Sequence, residues 1–138
     1  MLCGVHVPYE MGLKGHSDAD VALHALTDAI LSAIGQKDIG QLFPDDDPQY
    51  KNIDSAILLT KAWNMAKEQG YALLNASLVI MAQKPKLAPY IEQMKNRLAQ
   101  LLDANTNQIN VSATTTENLG ITAEGKGMAC YANILIYS

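Results

Sequence analysis

The stretch "HSDADVALHALTDA", from His16 to Ala29, sets two histidines and three aspartates among residues that otherwise suit the buried side of a helix. Positions four apart share a helix face, so Asp20, His24 and Asp28 fall on one stripe. Val21, Ala22, Ala25, Leu26, Ala29 and Ile30 lie around it and are core-like. Asp28, one turn past His24, is placed to orient its imidazole, as the partners of many metal histidines do, which favours a site without identifying it. The plainer alternative is a solvated helix face carrying a satisfied histidine. His16 comes just before the expected helix start, where unpaired backbone N–H groups suit a phosphate.

Three further stretches carry chemistry. "FPDDDP" sets Asp45, Asp46 and Asp47 between Pro44 and Pro48, either as a solvated turn or as the carboxylate wall of a site. Upstream, Asp38, Ile39 and Gly40 offer a carboxylate followed by exposed backbone N–H groups, a pairing that could hold the two hydroxyls of a ribose. "AQKPKLAP" places Lys84 and Lys86 around Pro85. A loop stiffened by proline displays backbone groups at fixed angles, as recognition of a base edge requires, while a lysine meets a phosphate. The plain alternative is a strand-to-helix connection with solvated lysines. "TTTE", Thr114 to Glu117, gathers hydroxyls and a carboxylate that suit Mg²⁺ and phosphate oxygens, although threonines are also ordinary strand residues.

The elements that must position these groups follow from periodicity and punctuation. "VHVPY" alternates as a short strand ending near Pro8. Ser17 with Asp20 has capping-box spacing, so a helix is expected from about Asp18 to Ile34, with Gly35 beyond it. Lys37 to Asn52 reads as a loop, and a second helix starts at Asp54 or Ser55 and stops at Gly70. "YALLNASLVIMAQ" reads as a buried strand, "KPKLAP" as a turn, and "YIEQMKNRLAQLLDA" as a helix by the spacing of Ile91, Met94, Leu98, Leu101 and Leu102. "QINVSATTTE" alternates as a strand with Ile109, Val111 and Ala113 on one face. "NLGITAEGKG" connects it to the final strand "MACYANILIYS". This order predicts an α+β two-layer sandwich, helices on one face of a mixed four-stranded sheet, with the last two strands as an antiparallel hairpin.

With 138 residues, 49% of them hydrophobic, the sequence suits one domain over residues 1–138. A net charge of −4 argues against nonspecific nucleic-acid binding, and apolar runs such as "LVIMA" are too short for a membrane span. Cys3 and Cys130 lack metal-ligand spacing and read as small core residues of a reducing compartment.

In this order and at these spacings, "HSDADVALHALTDA", "DIGQLFPDDDP", "AQKPK" and "ATTTENLG" resemble the 2-C-methyl-D-erythritol 2,4-cyclodiphosphate synthases of the non-mevalonate isoprenoid pathway. The likeness runs from about Val5 to the C-terminus. It implies a bacterial, cytoplasmic lyase. In its reaction the 2-phosphate of 4-diphosphocytidyl-methylerythritol 2-phosphate attacks the β-phosphorus, expels CMP and closes a cyclic diphosphate. It also implies Zn²⁺, Mg²⁺ or Mn²⁺, and a homotrimer with active sites between adjacent subunits.

Carried onto this sequence, the resemblance makes His24 a Zn²⁺ ligand and Glu117 the Mg²⁺ ligand. His16 and Ser17 contact the methylerythritol phosphate, His16 and Thr115 being the catalytic pair. Asp38, Ile39 and Gly40 contact the ribose, and Phe43, Pro44, Asp45, Asp46 and Asp47 form a flexible loop near the methylerythritol. Ala82, Gln83, Lys84, Pro85, Lys86, Leu87 and Ala88 form the cytosine and α-phosphate pocket. Thr114, Thr116, Ile121 and Glu124 complete the substrate contacts.

The family pattern begins with a further strand whose Asp-x-His motif completes the zinc site. This sequence opens at "MLCGVHVPY", past that motif, and neither His6 nor His16 stands where it could substitute. Either the first strand lies outside this sequence or the chain is a truncated homologue that no longer turns over; the complete site loops favour the first. "AEGKG" exchanges the signs of Glu124 and Lys126 relative to the family pattern. Two other readings remain: a trimeric module that binds cytidine nucleotides without catalysis, and a purely structural trimer.

Overall fold

A computed structural model describes residues 1–7, 20–43, 54–82, 86–114 and 128–138. The first helix, α1 (Val21–Ala33), is capped by Asp20, whose carboxylate accepts the Leu23 amide at 3.0 Å. Ser17, the expected cap, lies outside the described residues, and the helix begins later than Asp18. Asp20 wins the cap because the same carboxylate also gathers the amides of Cys3 (3.0 Å) and Gly4 (2.8 Å). Cys3 and Gly4 have φ of +50° and +73°, and Leu2 and Val5 exchange two backbone hydrogen bonds of 2.8 Å across them. This is a two-residue turn whose amides point at one buried anion. It is also the correction to the expected strand: Val5 pairs with Leu2 alone, and Val5 to Val7 stay outside the sheet. The amides at the head of that segment are already committed to the turn and to Asp20. At Gly4 a Cβ would stand 2.9 Å from Arg97 Cγ, so the positive φ and the close approach both call for glycine.

α1 ends where Gly35, at φ +74°, turns the chain, and the Gly35 and Gln36 amides return to the Ser32 and Leu31 carbonyls. The expected loop after it contains one helical turn, α2 (Ile39–Leu42). α3 (Ser55–Glu68) starts at its Asp54 cap, as the sequence indicates, and β1 (Ala72–Ala82) follows. A 3₁₀ turn at Ala88–Tyr90 leads into α4 (Ile91–Leu102), and another at Thr106–Gln108 leads into β2 (Ile109–Thr114). The last strand is β3 (Met128–Tyr137).

Among the described residues the sheet has three strands in the order β2-β1-β3, not four. β1 runs parallel to β2 and antiparallel to β3. The expected β2–β3 hairpin does not form, because β1, the longest and most apolar strand, separates the two. α4 makes the crossover between the parallel pair, as parallel strands require. Leu73, Ala76, Leu78, Ile80 and Ala82 turn the buried face of β1 toward the helices. α1 packs on β3 and α3, and α4 on β2 and α3. Each fully buried leucine or isoleucine, such as Leu78 or Ile80, contributes about 2 kcal/mol by leaving water. The opposite face carries large exposed side chains, Tyr131, Leu135 and Tyr137 at 68%, 58% and 55% exposure, alternating with polar ones such as Asn133 and its partner Ser77. The ladder places Val79 opposite Tyr131 on that face.

Replacing Asp20 with alanine strands three amides that the carboxylate now holds. Urea unfolding is expected to show a loss of about 3 kcal/mol, since a buried donor without a partner costs about 1–3 kcal/mol. A loss below about 0.5 kcal/mol would contradict this role for the carboxylate.

Candidate functional site

The α1 stripe is present, and each of its members is tied to a different segment. Asp20 holds the N-terminal turn. His24, partly buried one turn on, makes a 3.0 Å hydrogen bond through Nε2 to Ser55 Oγ. Ser55 is the first residue of α3 and is 2% exposed. Asp28 does not orient the His24 ring. Its Oδ1 accepts the Ile39 amide at 2.9 Å, an orphan donor at the start of α2 that a carboxylate at a helix N-terminus satisfies well. Asp38 completes the cap, accepting the Gln41 amide at 3.0 Å. The "DIG" segment is therefore a pinned helical turn. Its Ile39 and Gln41 amides are engaged by Asp28 and Asp38 instead of being exposed for a ligand. Asp38 and Gly40 themselves face solvent.

Phe43 closes α2 and is buried at 8% exposure, so its ring belongs to the core cluster instead of an exposed loop. Pro44 to Asp47 lie outside the described residues, as do His16 and Ser17. A second group of candidates sits at the carboxyl ends of the parallel strands. Ala82 ends β1 and Thr114 ends β2, with Met81 and Thr114 in register. Carboxyl ends of adjacent parallel strands are where open α/β sheets bind ligands. Lys86 and Ala88 are exposed there, whereas the side chains of Ala82 and Leu87 are buried in the core. Gln83, Lys84, Pro85, Thr115, Thr116, Glu117, Ile121 and Glu124 lie outside the described residues. The structure thus carries one set of candidates on α1 to α3 and another at the β1 and β2 ends.

Neither thiol is held as a thiolate. Burial, then the neighbouring Asp20 carboxylate, pushes Cys3 far above the ordinary thiol range and Cys130 up to about 11. Cys3 is fully buried, as expected, and Cys130 only partly so. Burial also raises the Asp20 carboxyl, while the Gly4, Leu23 and Cys3 amides act against that rise. Among the described residues no three His, Cys, Asp or Glu side chains gather to hold a metal. His24 fits as a single ligand: its ring is reachable and one nitrogen is already supported by a buried hydroxyl. Asp20 and Asp28 spend carboxylate oxygens on backbone amides.

Ser55 is the site residue that sequence reading missed. It falls at the predicted helix start, but nothing in local spacing links it to a histidine 31 positions away. Asp28→Ala tests the pin on α2: Ile39 amide exchange should speed up by about fivefold, a net hydrogen bond being worth about 1 kcal/mol. Unchanged exchange at Ile39 would show that α2 holds itself.

The YgbB family model matches residues 1–137. A 2-C-methyl-D-erythritol 2,4-cyclodiphosphate synthase from Geobacillus thermodenitrificans is 57% identical over 133 residues, which are 96% of this chain and 83% of that protein. Its namesake from Geobacillus kaustophilus is 58% identical over 133 residues, 96% of this chain and 84% of its own. Among solved structures, a synthase of that name in a CDP-bound form superposes with a TM-score of 0.92 at 37% identity, covering 99% of this chain and 89% of that one. The bifunctional IspDF from Campylobacter jejuni matches with a TM-score of 0.91 at 45% identity, over 99% of this chain and 37% of the bifunctional one.

Proposed function

The chain belongs to the YgbB family of 2-C-methyl-D-erythritol 2,4-cyclodiphosphate synthases, lyases of the non-mevalonate pathway, and from that premise we propose how its residues divide the reaction. The substrate is 4-diphosphocytidyl-2-C-methyl-D-erythritol 2-phosphate. Its 2-phosphate oxygen bonds to the β-phosphorus, the bond from that phosphorus to the CMP oxygen breaks, and CMP leaves. Because nucleophile and electrophile belong to one molecule, the protein needs to fold the substrate and offset its charge more than to supply a nucleophile. The raised thiols of Cys3 and Cys130 agree with that division.

One observation carries the reading: Asp28 pins the Asp38–Gly40 turn to α1, one helical turn from His24. A ribose contact and a metal ligand then share one rigid support. Asp38 and Gly40 hold the ribose, His16 and Ser17 hold the methylerythritol phosphate, and Asp45 to Asp47 line its polyol. Lys86 meets the α-phosphate, the Ala82 to Ala88 segment reads the cytosine, and Thr115 steadies the diphosphate. His24 would hold Zn²⁺, and Glu117 would hold Mg²⁺ or Mn²⁺. When bound, these ions supply positive charge to a polyanion that an acidic chain cannot neutralise alone. Further zinc ligands are needed, since catalytic zinc takes three protein ligands.

The two groups of candidates work as halves. We assign the exposed face of Val79, Tyr131, Leu135 and Tyr137 to contact with further copies of this chain in a homotrimer. An apolar sheet face of this kind is an association surface, and trimer formation would set the His24 half of one copy against the Lys86 half of the next. On this reading the enzyme works in a bacterial cytoplasm.

The direct test supplies the diphosphocytidyl substrate with Zn²⁺ and Mg²⁺ and follows CMP release, which is expected. Metal-independent binding of added CMP or CDP by calorimetry, with no CMP formed from the substrate, would instead support the non-catalytic cytidine-binding module. His24→Ala should abolish turnover while the protein stays folded; retained turnover with zinc still bound would refute the ligand assignment. Lys86→Ala should weaken CMP binding about tenfold, or about 1.4 kcal/mol, by calorimetry. Leu135→Asp should convert a trimer to monomer in sedimentation, and a wild-type monomer would remove the trimer from the account.

A further inference from the structure

α2 is a single helical turn, too short to hold itself. None of its side chains is fully buried, and Ile39 and Leu42 only lean on the core. The buried Phe43 anchors its far end. Its near end is tied to the rest of the fold by Asp28 Oδ1, which accepts the Ile39 amide at 2.9 Å. Asp38 acts only within the turn, its carboxylate taking the Gln41 amide and its carbonyl the Leu42 amide, each at 3.0 Å. Asp28 itself is exposed, yet Leu26, Thr27, Ile30 and Leu31 around it are fully buried, so the core fixes its backbone. The carboxylate thus extends the rigidity of α1 to a turn that packing leaves open at its start. We propose that Asp28 is a positioning residue for nucleotide recognition: by accepting the Ile39 amide it keeps the Asp38–Gly40 turn formed before a ligand arrives, and so sets the preference for ribose over a sugar without its 2′- and 3′-hydroxyls.

This rests on the reading of Asp38 and Gly40 as the ribose contact and adds to it the residue that preorganises them and the sugar selectivity that follows. Asp38 commits Oδ1 to Gln41, and a hydroxyl that meets the rest of this exposed carboxylate gains a charge-assisted hydrogen bond. That bond forms only when the turn is in place. A protein whose binding-competent state is partly populated binds more weakly in proportion to that population. Opening the turn therefore weakens the hold on ribose and leaves contacts to base and phosphate at the β1 and β2 ends as they are.

Calorimetry with CDP and with 2′,3′-dideoxy-CDP tests this without requiring turnover. The wild type should bind CDP about tenfold more tightly, as hydrogen bonds to a charged group allow. Asp28→Ala should shrink that preference about fivefold, the factor one net hydrogen bond carries, and leave dideoxy-CDP affinity unchanged. Asp28→Asn keeps an acceptor oxygen for the Ile39 amide and should retain the preference; its loss there too would assign the effect to charge and overturn the proposal. An undiminished preference in Asp28→Ala removes the role of Asp28 and leaves the ribose reading standing, whereas a wild type that binds both nucleotides equally, or neither, removes that reading as well. A purely structural aspartate would lower the melting temperature and weaken both nucleotides alike, which also overturns the proposal. Should Asp28→Ala not fold, the wild type decides: CDP should slow Ile39 amide exchange and dideoxy-CDP should not, and equal protection by the two would contradict the coupling.

Discussion

Three side chains one helical turn apart hold this domain's irregular parts to its regular ones. Asp20, His24 and Asp28 each reach from α1 to a segment that packing alone would leave loosely placed: the Leu2–Val5 turn, the start of α3 and the start of α2. Burying polar groups on a helix that faces a core is costly unless each finds a partner. Here each does, and the partners are backbone amides or a buried hydroxyl. Specificity of assembly is the return. The Ser55 hydroxyl meeting the His24 ring favours one register of α3 on α1.

The sheet follows a simpler logic. β1 carries the longest apolar run and takes both neighbours, parallel β2 and antiparallel β3, leaving a helix-covered face and a bare one that mixes Tyr131, Leu135 and Tyr137 with Ser77, Ser112 and Asn133. Polar candidates gather in two places: on the pinned helical segments and where the parallel strands end.

How much of this was readable beforehand varied with how local each cause is. α3, α4 and β1 fall within a residue or two of their expected places because their signals lie within each segment: the Asp54 cap, the Ile91–Met94–Leu98 spacing and the apolar run before Ala82. The strand order was not readable. The connection between Thr114 and Met128 could serve either a hairpin or a strand inserted between, and only the competition for the edges of β1 decides. The Asp20–His24–Asp28 stripe was plain from spacing, but its partners were not. Asp28 spends its carboxylate on Ile39 and not on the imidazole, a choice made by an unpaired helix-end amide elsewhere in the chain. Family likeness supplied the expected chemistry, and the fold supplied the partners of Asp20, His24 and Asp28.

A crystal structure of the protein grown with CDP and Zn²⁺, with data collected at the zinc edge, examines this account most directly. It should show anomalous density about 2.1 Å from the His24 ring, with the Asp20 and Asp28 contacts to the N-terminal turn and α2 unchanged. Zinc density away from His24, or a nucleotide complex in which those contacts have broken, would contradict it.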